Sequence, residues 1–365
     1  MGQGPLSGVR VVEFAGIGPT PFVGMLLSDM GAEVVRIDRS PVDPFPNPVL
    51  NRGRSSILLD LKSEDGLRVA RDAVAAADVL IEGYRPGVME RLGLGPDDCE
   101  AINPRLIYGR MTGWGQEGPL AHTAGHDIGY IALTGALDAI GPKDGPPMPP
   151  LNLVGDFGGG SLYLAFGVCA ALYEREQSGK GQVIDAAVVD GAASLMGLFH
   201  GFEKGGMIST ARGRRALGGD APWYRTYECA DGKFFAVGPL EPQFQAELWR
   251  LLDIDPGSVG SPFDPADWPR AEAVMAARFL TRTRAEWTTI FDGTDACGAP
   301  VLSLEEAPSH PHMAARGVYE ARRDAIHPVA APRLSRTPGR AGGAAPDVNE
   351  GGSVTLAGWG IRVGQ

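Results

Sequence analysis

The sequence predicts an α/β protein, with a large domain built on a parallel sheet and a smaller α+β domain. Three observations carry this expectation. Through residues 8–111, short strand-like runs alternate with helical patterns, the order expected of parallel strands joined by crossover helices. A stretch at 203–222, rich in glycine and without periodicity, then interrupts the chain, and a strand pair and Trp-containing helices follow it. The length, 365 residues, exceeds the ~250–300 residues that one hydrophobic core usually organises, so two domains are expected.

Taken in order, residues 8–14 (Gly-Val-Arg-Val-Val-Glu-Phe) read as a short buried strand, and residues 15–19 as a loop. From Pro21 to Met30, the apolar residues Phe22, Met25, Leu26 and Leu27 share one side of a helix, which Gly31 ends. Residues 33–38 (Glu-Val-Val-Arg-Ile-Asp) form a second strand. About twenty residues separate the first glycine loop from the acidic end of that strand, a Rossmann-like spacing. The loop itself reads Gly16-Ile17-Gly18-Pro19-Thr20-Pro21 and lacks the third glycine, so the unit indicates fold class and not a nicotinamide site. The proline-rich segment 43–51 is a surface loop, and a strand at 56–62 follows Arg52-Gly53-Arg54. Ser63 starts a helix that reaches Ala77; residues 78–82 are a strand, 88–92 a short helix and 106–111 a further strand. The strand ends deliver Arg39, Lys62, Arg85 and Arg110 to the edge where open α/β sheets bind ligands. Arginines at such a rim also serve merely to solvate it.

Residues 160–202 are mainly helical, with an apolar run at 162–173 and a helix that follows 183–190 and reaches Phe199. In the smaller domain, residues 223–228 and 233–238 pair around Ala230-Asp231-Gly232, because Asp-Gly suits the tight turn of a hairpin. Helices carrying Trp249, Leu251 and Trp287 come next. The expected division is therefore 1–202 for the first part of the large domain, 203–222 for a linker and 223–312 for the small domain. Residues 313–365, rich in Pro, Gly and Ala, return to complete the large domain and end in a strand near 353–356.

Composition excludes several functions. A net charge of -11 argues against a nucleic-acid binder, which needs a basic stripe. The four cysteines, Cys99, Cys169, Cys229 and Cys297, match no zinc spacing and read as reduced, and the histidines show no paired metal spacing. No run approaches the ~20 apolar residues of a membrane span. Met1-Gly2-Gln3-Gly4-Pro5 does not read as a signal peptide, nor does the C-terminal Arg362-Val363-Gly364-Gln365 read as a peroxisomal address, so a cytoplasmic protein is expected.

Three groups stand apart from the scaffold. Asp156 lies in Gly155-Asp156-Phe157-Gly158-Gly159-Gly160-Ser161, at the start of the apolar helical run. Glycines there admit a ligand close to backbone, and a helix start offers free N–H groups to an oxyanion, with Asp156 beside it as acid or base. The alternative is that Asp156 is an N-cap and the glycines only allow tight packing. His126, in Gly125-His126-Asp127, precedes a helix, and Glu241, in Leu240-Glu241-Pro242, stands between a strand and a helix. Histidine suits proton transfer near neutral pH. Both residues also have structural alternatives, as a backbone-bonded histidine and as a first-turn helix charge.

At this point the chain resembles the family III CoA-transferases and, within them, the α-methylacyl-CoA racemases. The marks are residues 5–13 (Pro-Leu-Ser-Gly-Val-Arg-Val-Val-Glu), 31–38 (Gly-Ala-Glu-Val-Val-Arg-Ile-Asp), 82–87 (Glu-Gly-Tyr-Arg-Pro-Gly), 113–119 (Gly-Trp-Gly-Gln-Glu-Gly-Pro) and 155–160. Gly-His-Asp at 125–127 and Glu-Pro-Gln-Phe at 241–244 match the racemases, whereas the transferases lack the histidine and use the aspartate as a nucleophile. The resemblance implies an isomerase that inverts C2 of a 2-methylacyl-CoA thioester without a cofactor, CoA being part of the substrate.

In that reading His126, held by Glu241, and Asp156, supported by Asn152, exchange the α-proton from opposite faces, and the Asp156 N–H meets the enolate oxygen. The resemblance also assigns substrate contacts to Arg39, Leu59, Asp60, Leu61, Lys62, Gly83, Tyr84, Arg85, Arg91, Gly125 and Tyr130. Ser55 stands where close relatives are expected to carry Arg. The helix at 195–202 has fewer methionines than their acyl surface, which implies a different acyl preference. An interlocked homodimer is implied, with neither nucleic acid nor membrane as partner. Two other readings stay open: a CoA-transferase with Asp156 as nucleophile, and a non-catalytic CoA-ester binding protein.

Overall fold

The computed structural model describes residues 4–205, 209–262 and 264–364; residues 206–208, in the expected linker, lie outside the described residues. The chain forms two compact units. The first comprises residues 1–134, 151–195 and 312–365, and the second comprises residues 135–150 and 196–311.

The first unit is built on six parallel strands: β1 (Arg10–Phe14), β2 (Glu33–Asp38), β3 (Ser55–Leu58), β4 (Val79–Glu82), β5 (Ile107–Thr112) and β6 (Gln182–Ala187). Their order is β3-β2-β1-β4-β5-β6, so the sheet reverses direction of growth between β1 and β4. The strands are apolar on both sides, and their two-residue period divides them between two cores. Val12, Phe14, Val35, Ile37, Leu80 and Tyr108 face one core, where Val69, Ala70, Ala73 and Val74 of the Glu64–Ala76 helix cover them. Val11, Val34, Val79, Ile81, Ile107 and Met111 face the other, beneath the Pro19–Asp29 and Leu162–Ser178 helices. The Glu64–Ala76 helix starts where the sequence places it: Ser63 Oγ accepts the Gly66 N–H at 3.0 Å.

Three expectations about elements are corrected. The strand expected over 56–62 ends at Leu58, and Leu59 and Leu61 turn into the core. The strand expected near 353–356 is instead the Gly352–Gly358 helix, opened by Gly351 at φ 75°. The β-branched Val354 and Thr355 favour a strand, but Leu356 and Trp359, three residues apart, bury themselves in the first core only as a helix. Finally, the apolar run at 162–173 extends to Ser178 and is preceded by a π-helical segment, Leu153–Ser161. The resulting 26-residue run is apolar and long enough to cross a bilayer, contrary to expectation. One side of it packs Leu164 and Val168 against the sheet, and the other leaves Leu162, Phe166 and Tyr173 exposed.

The return segment is fastened to the first unit by Arg52, which is fully buried. Its guanidinium donates to both carboxylate oxygens of Asp29, at 3.1 and 2.5 Å, and to the Pro328 carbonyl at 2.7 Å. A short hairpin within that segment, Tyr319–Ala321 with Ile326–Pro328, presents the carbonyl.

The second unit pairs Arg225–Glu228, Phe234–Val237 and Gly298–Pro300 into an antiparallel sheet. Gly232, at φ 71°, makes the expected Asp-Gly turn. Aromatic rings fill its core, with Phe279 stacked on Tyr227 at 5.0 Å and packed against Trp287 at 5.1 Å. The segment 135–150 belongs here because Arg215 donates to the Ala139 carbonyl at 3.1 Å and Lys143 pairs with Glu272 at 3.2 Å. All four cysteines are free.

Leu356 is 0% exposed. Leu356→Ala is expected to destabilise the protein by about 2–5 kcal/mol in urea unfolding, the cost of a core cavity. A surface segment would lose under about 0.5 kcal/mol.

Candidate active site

A cavity of about 390 Å³ opens at the carboxyl ends of β1 and β4, where the strand order reverses. Ligands of open α/β sheets bind at such a crevice, because the loops leaving its two strands diverge. Gly18 and Thr20 come from the loop and helix after β1, and Tyr84 and Arg85 from the turn after β4. Trp114, His126, Tyr130 and Asp156 complete the wall.

Asp156 is carried by the π-helical segment rather than by a helix N-cap. The Phe157 N–H donates to the Asn152 carbonyl at 3.1 Å, five residues back, which widens the turn. The glycines here serve packing and not ligand approach. A β-carbon on Gly191 would lie 1.8 Å from the Gly159 carbonyl oxygen, so the Val188–Leu195 helix rests directly on this turn. Ser161 Oγ donates to the Pro19 carbonyl at 2.8 Å and lies 3.0 Å from the Asp156 carbonyl, tying the turn to the first loop.

Burial and the neighbouring Asp127 charge push the Asp156 carboxyl up to about 6, against a hydrogen bond from the Asn152 side chain and the charge of His126. A carboxyl in that range holds both of its protonation states in neutral solution, so it can give as well as take a proton.

His126 is the N-cap of the Asp127–Leu133 helix. Its carbonyl accepts the N–H groups of Gly129 and Tyr130 at 2.8 and 3.3 Å, while its ring makes no capping bond and stands exposed in the cavity. The Trp114 and Tyr130 rings meet edge to face at 4.7 Å and press on Gly125, where a β-carbon would lie 2.6 Å from Tyr130 and 2.9 Å from Trp114. The next residue, Asp127, is buried, and its Oδ2 accepts the Asp156 N–H at 2.7 Å. That N–H is therefore engaged, which corrects the expectation that it meets an enolate oxygen.

The remaining predicted residues divide. A second cavity, of about 580 Å³, shares Ile17 and Gly18 with the first and is lined by Arg36, Asp38 and Arg39. The Arg39 guanidinium lies 4.5 Å from the centre of the buried Tyr84 ring. Gly83 lies against Thr20, whose Oγ1 a β-carbon would meet at 2.4 Å. Leu59 and Leu61 belong to the core and line neither cavity, Asp60 and Lys62 are exposed beside them, and Arg91 curls over Gly87 on the surface. Arg110 is taken up by Glu82 at 3.3 Å and Glu90 at 2.9 Å, so at that strand end the arginine is structural. Glu241 belongs to the second unit, where it is the N-cap of the Pro242–Leu252 helix with an exposed side chain, whereas the first unit alone supplies the cavity wall. Reading the sequence for single reactive groups missed Trp114 as a wall residue and Asp127 as a partner of Asp156. The signal for both lay in motifs already singled out, Gly113-Trp114-Gly115 and Gly125-His126-Asp127. Among the described residues no cluster of three or more His, Cys, Asp or Glu offers a metal site.

Comparison with known proteins places these features in context. Residues 6–351 match the profile described as CoA-transferase family III. The chain is 48% identical to the mouse protein named alpha-methylacyl-CoA racemase and 45% identical to the human protein of that name, in each case over 91% of this chain and 87% of the relative. Among solved structures, a CAIB/BAIF family protein from Brucella suis superposes with a TM-score of 0.83 at 27% identity, covering 98% of this chain and 100% of that one.

Asn152→Ala removes a hydrogen bond to the ionised Asp156, so the carboxyl is expected to titrate above about 6. The pH dependence of carbodiimide labelling at Asp156, followed by peptide mass spectrometry, measures the midpoint, and a midpoint that fell would contradict this assignment.

Proposed function

Because the chain belongs to CoA-transferase family III, with close relatives named as racemases, we propose that it is an isomerase that racemises 2-methylacyl-CoA thioesters at C2. The observation that carries this reading is the presence of His126 and Asp156 in the wall of one cavity, with Asp156 at about 6. The thioester carbonyl acidifies the adjacent C–H. One of the two groups takes the α-proton and the C–H electron pair becomes the enolate; the other returns a proton to the opposite face. At the start of each direction one group carries the exchangeable proton and the other lacks it, and the reaction exchanges these two states. Asn152 supports Asp156 through its side-chain hydrogen bond. With the Asp156 N–H engaged by Asp127, the enolate oxygen is met in this reading by the unpaired N–H groups at the start of the Asp127–Leu133 helix, beside His126, rather than by Asp156. No cofactor enters the reaction, and CoA is the handle of the substrate. Its nucleotide end fits the larger neighbouring cavity beside Arg39, and its thioester reaches the smaller one past Gly18.

The working enzyme is a homodimer in this reading, with Glu241 of one chain beside His126 of the other. Two features support it. Leu162, Phe166 and Tyr173 form an exposed apolar band on one helix. Furthermore, His126 has no acidic orienting partner among the residues that line its cavity except Asp156 itself.

A second reading, a CoA-transferase with Asp156 as nucleophile, draws on the same carboxyl facing the cavity. Proton NMR in heavy water separates the two. A racemase incorporates one α-deuterium into a single thioester with no acceptor acid present and is unaffected by a chelator. A transferase leaves the α-position alone until an acceptor is added, and hydroxylamine traps its enzyme anhydride. Co-refolding inactive His126→Ala and Glu241→Ala chains is expected to regain about a quarter to a half of wild-type activity, because one site per mixed dimer is intact when the site is shared between chains. Mixtures no more active than the parents would contradict the shared site.

A further inference from the structure

Asp127 is the acidic residue next to His126, yet its side chain points the other way, into the protein. It is 9% exposed. Its Oδ2 accepts the Asp156 N–H at 2.7 Å, and its Oδ1 is buried without a hydrogen-bond partner. The contact is built into the backbone opposite, since a β-carbon on Gly155 would lie 2.2 Å from Oδ2 and push the carboxylate off. A carboxylate left half satisfied in a buried site costs folding free energy, and such a cost is retained where it serves a site. Resting on the racemase reading, we propose that Asp127 is a positioning residue for the proton transfer: its buried carboxylate clamps the turn that carries Asp156 to the helix start that carries His126, and sets a second negative charge beside the Asp156 carboxyl.

The groups that face Asp156 allow this role. From its own segment Asn152 donates to it, and from the Asp127–Leu133 region His126, Asp127 and Tyr130 act on it or feel its charge, with Arg85 across the cavity. The elements packed on the turn from the other sides contribute Gly18, Pro19, Thr20 and Val188 to the wall, none of which titrates. Of the charged neighbours, Asp127 alone disfavours the ionised form, and it adds to the effect of burial. A negative neighbour enlarges the protonated share of Asp156 in neutral solution, which the direction of reaction that uses Asp156 as acid requires. The same side chain thus ties the turn of Asp156 to the helix start of His126 and strengthens the hold of Asp156 on its proton.

Asp127→Asn separates charge from clamp, because an amide oxygen can still accept the Asp156 N–H. The test is the midpoint of carbodiimide labelling at Asp156, read by peptide mass spectrometry on the full-length protein without substrate, beside the pH profile of α-deuterium incorporation. In Asp127→Asn the labelling midpoint is expected to fall by about one pH unit, and kcat at pH 7 by about tenfold in the direction that needs protonated Asp156, with KM within about twofold. Asp127→Glu, which keeps the charge, holds the midpoint near the wild-type value. Gly155→Ala, which displaces the carboxylate without altering the charge count, lowers it and provides a second route should Asp127→Asn not fold. A midpoint within about 0.3 units of wild type in both lowering variants, or one that rises, overturns the proposal. Absence of deuterium incorporation by the wild-type protein would instead overturn the racemase reading, while the labelling midpoints would still decide the role of Asp127.

Discussion

The seating of the wide turn at Leu153–Ser161 governs the rest of the site. π-Helical turns are rare and occur frequently at functional sites, and this one is held by its neighbours. Here they come from three sides at distances that a β-carbon would crowd. The Val188–Leu195 helix lies on Gly159, Asp127 lies on Gly155, and the Asp156 carboxyl itself lies over Gly18, where a β-carbon would be 3.1 Å from Oδ2. Close backbone approach thus substitutes for side-chain bulk and leaves Asp156 facing the cavity. The reversal of strand order between β1 and β4 creates the space that the turn borders. Fold and chemistry meet at this one contact set.

The electrostatics follow from that seating. Asp156 is removed from water and placed near a like charge, so its proton is held more tightly; Asn152 and His126 pull the other way. The outcome, about 6, lies close to the usual range of an imidazole. A carboxyl in that range suits a reaction whose two directions exchange the roles of acid and base, because both of its protonation states are populated in neutral solution. An exposed aspartate, near 4, would leave one direction short of its acid.

Much of this was legible in the sequence, and the exceptions have physical reasons. Strand periodicity in residues 8–111 gave the parallel sheet, and the missing third glycine after β1 turned the reading away from a nicotinamide site. The Asp231-Gly232 hairpin was plain because only a few residues tolerate its turn. His126 and Asp156 stood out as reactive types on glycine-flanked loops, but pattern alone does not put two loops in one cavity; the resemblance did that. The π-helical turn was hidden because its sequence has the composition of a helix start. The helix at 352–358 was hidden because β-branched residues outweighed a short apolar spacing. The glycines of residues 155–160 carried the right emphasis for the wrong reason, since they admit neighbouring backbone and the Asp127 carboxylate rather than a ligand.

The central claim, that His126 and Asp156 each exchange the α-proton on its own face of C2, is tested most directly by splitting exchange from inversion. With pure 2R and 2S thioesters in heavy water, His126→Ala should wash deuterium into one epimer with retention of configuration and no longer invert either. Asp156→Asn should do the same with the opposite epimer only. Retained inversion in both variants, or exchange of the same epimer by both, would contradict two proton carriers on opposite faces.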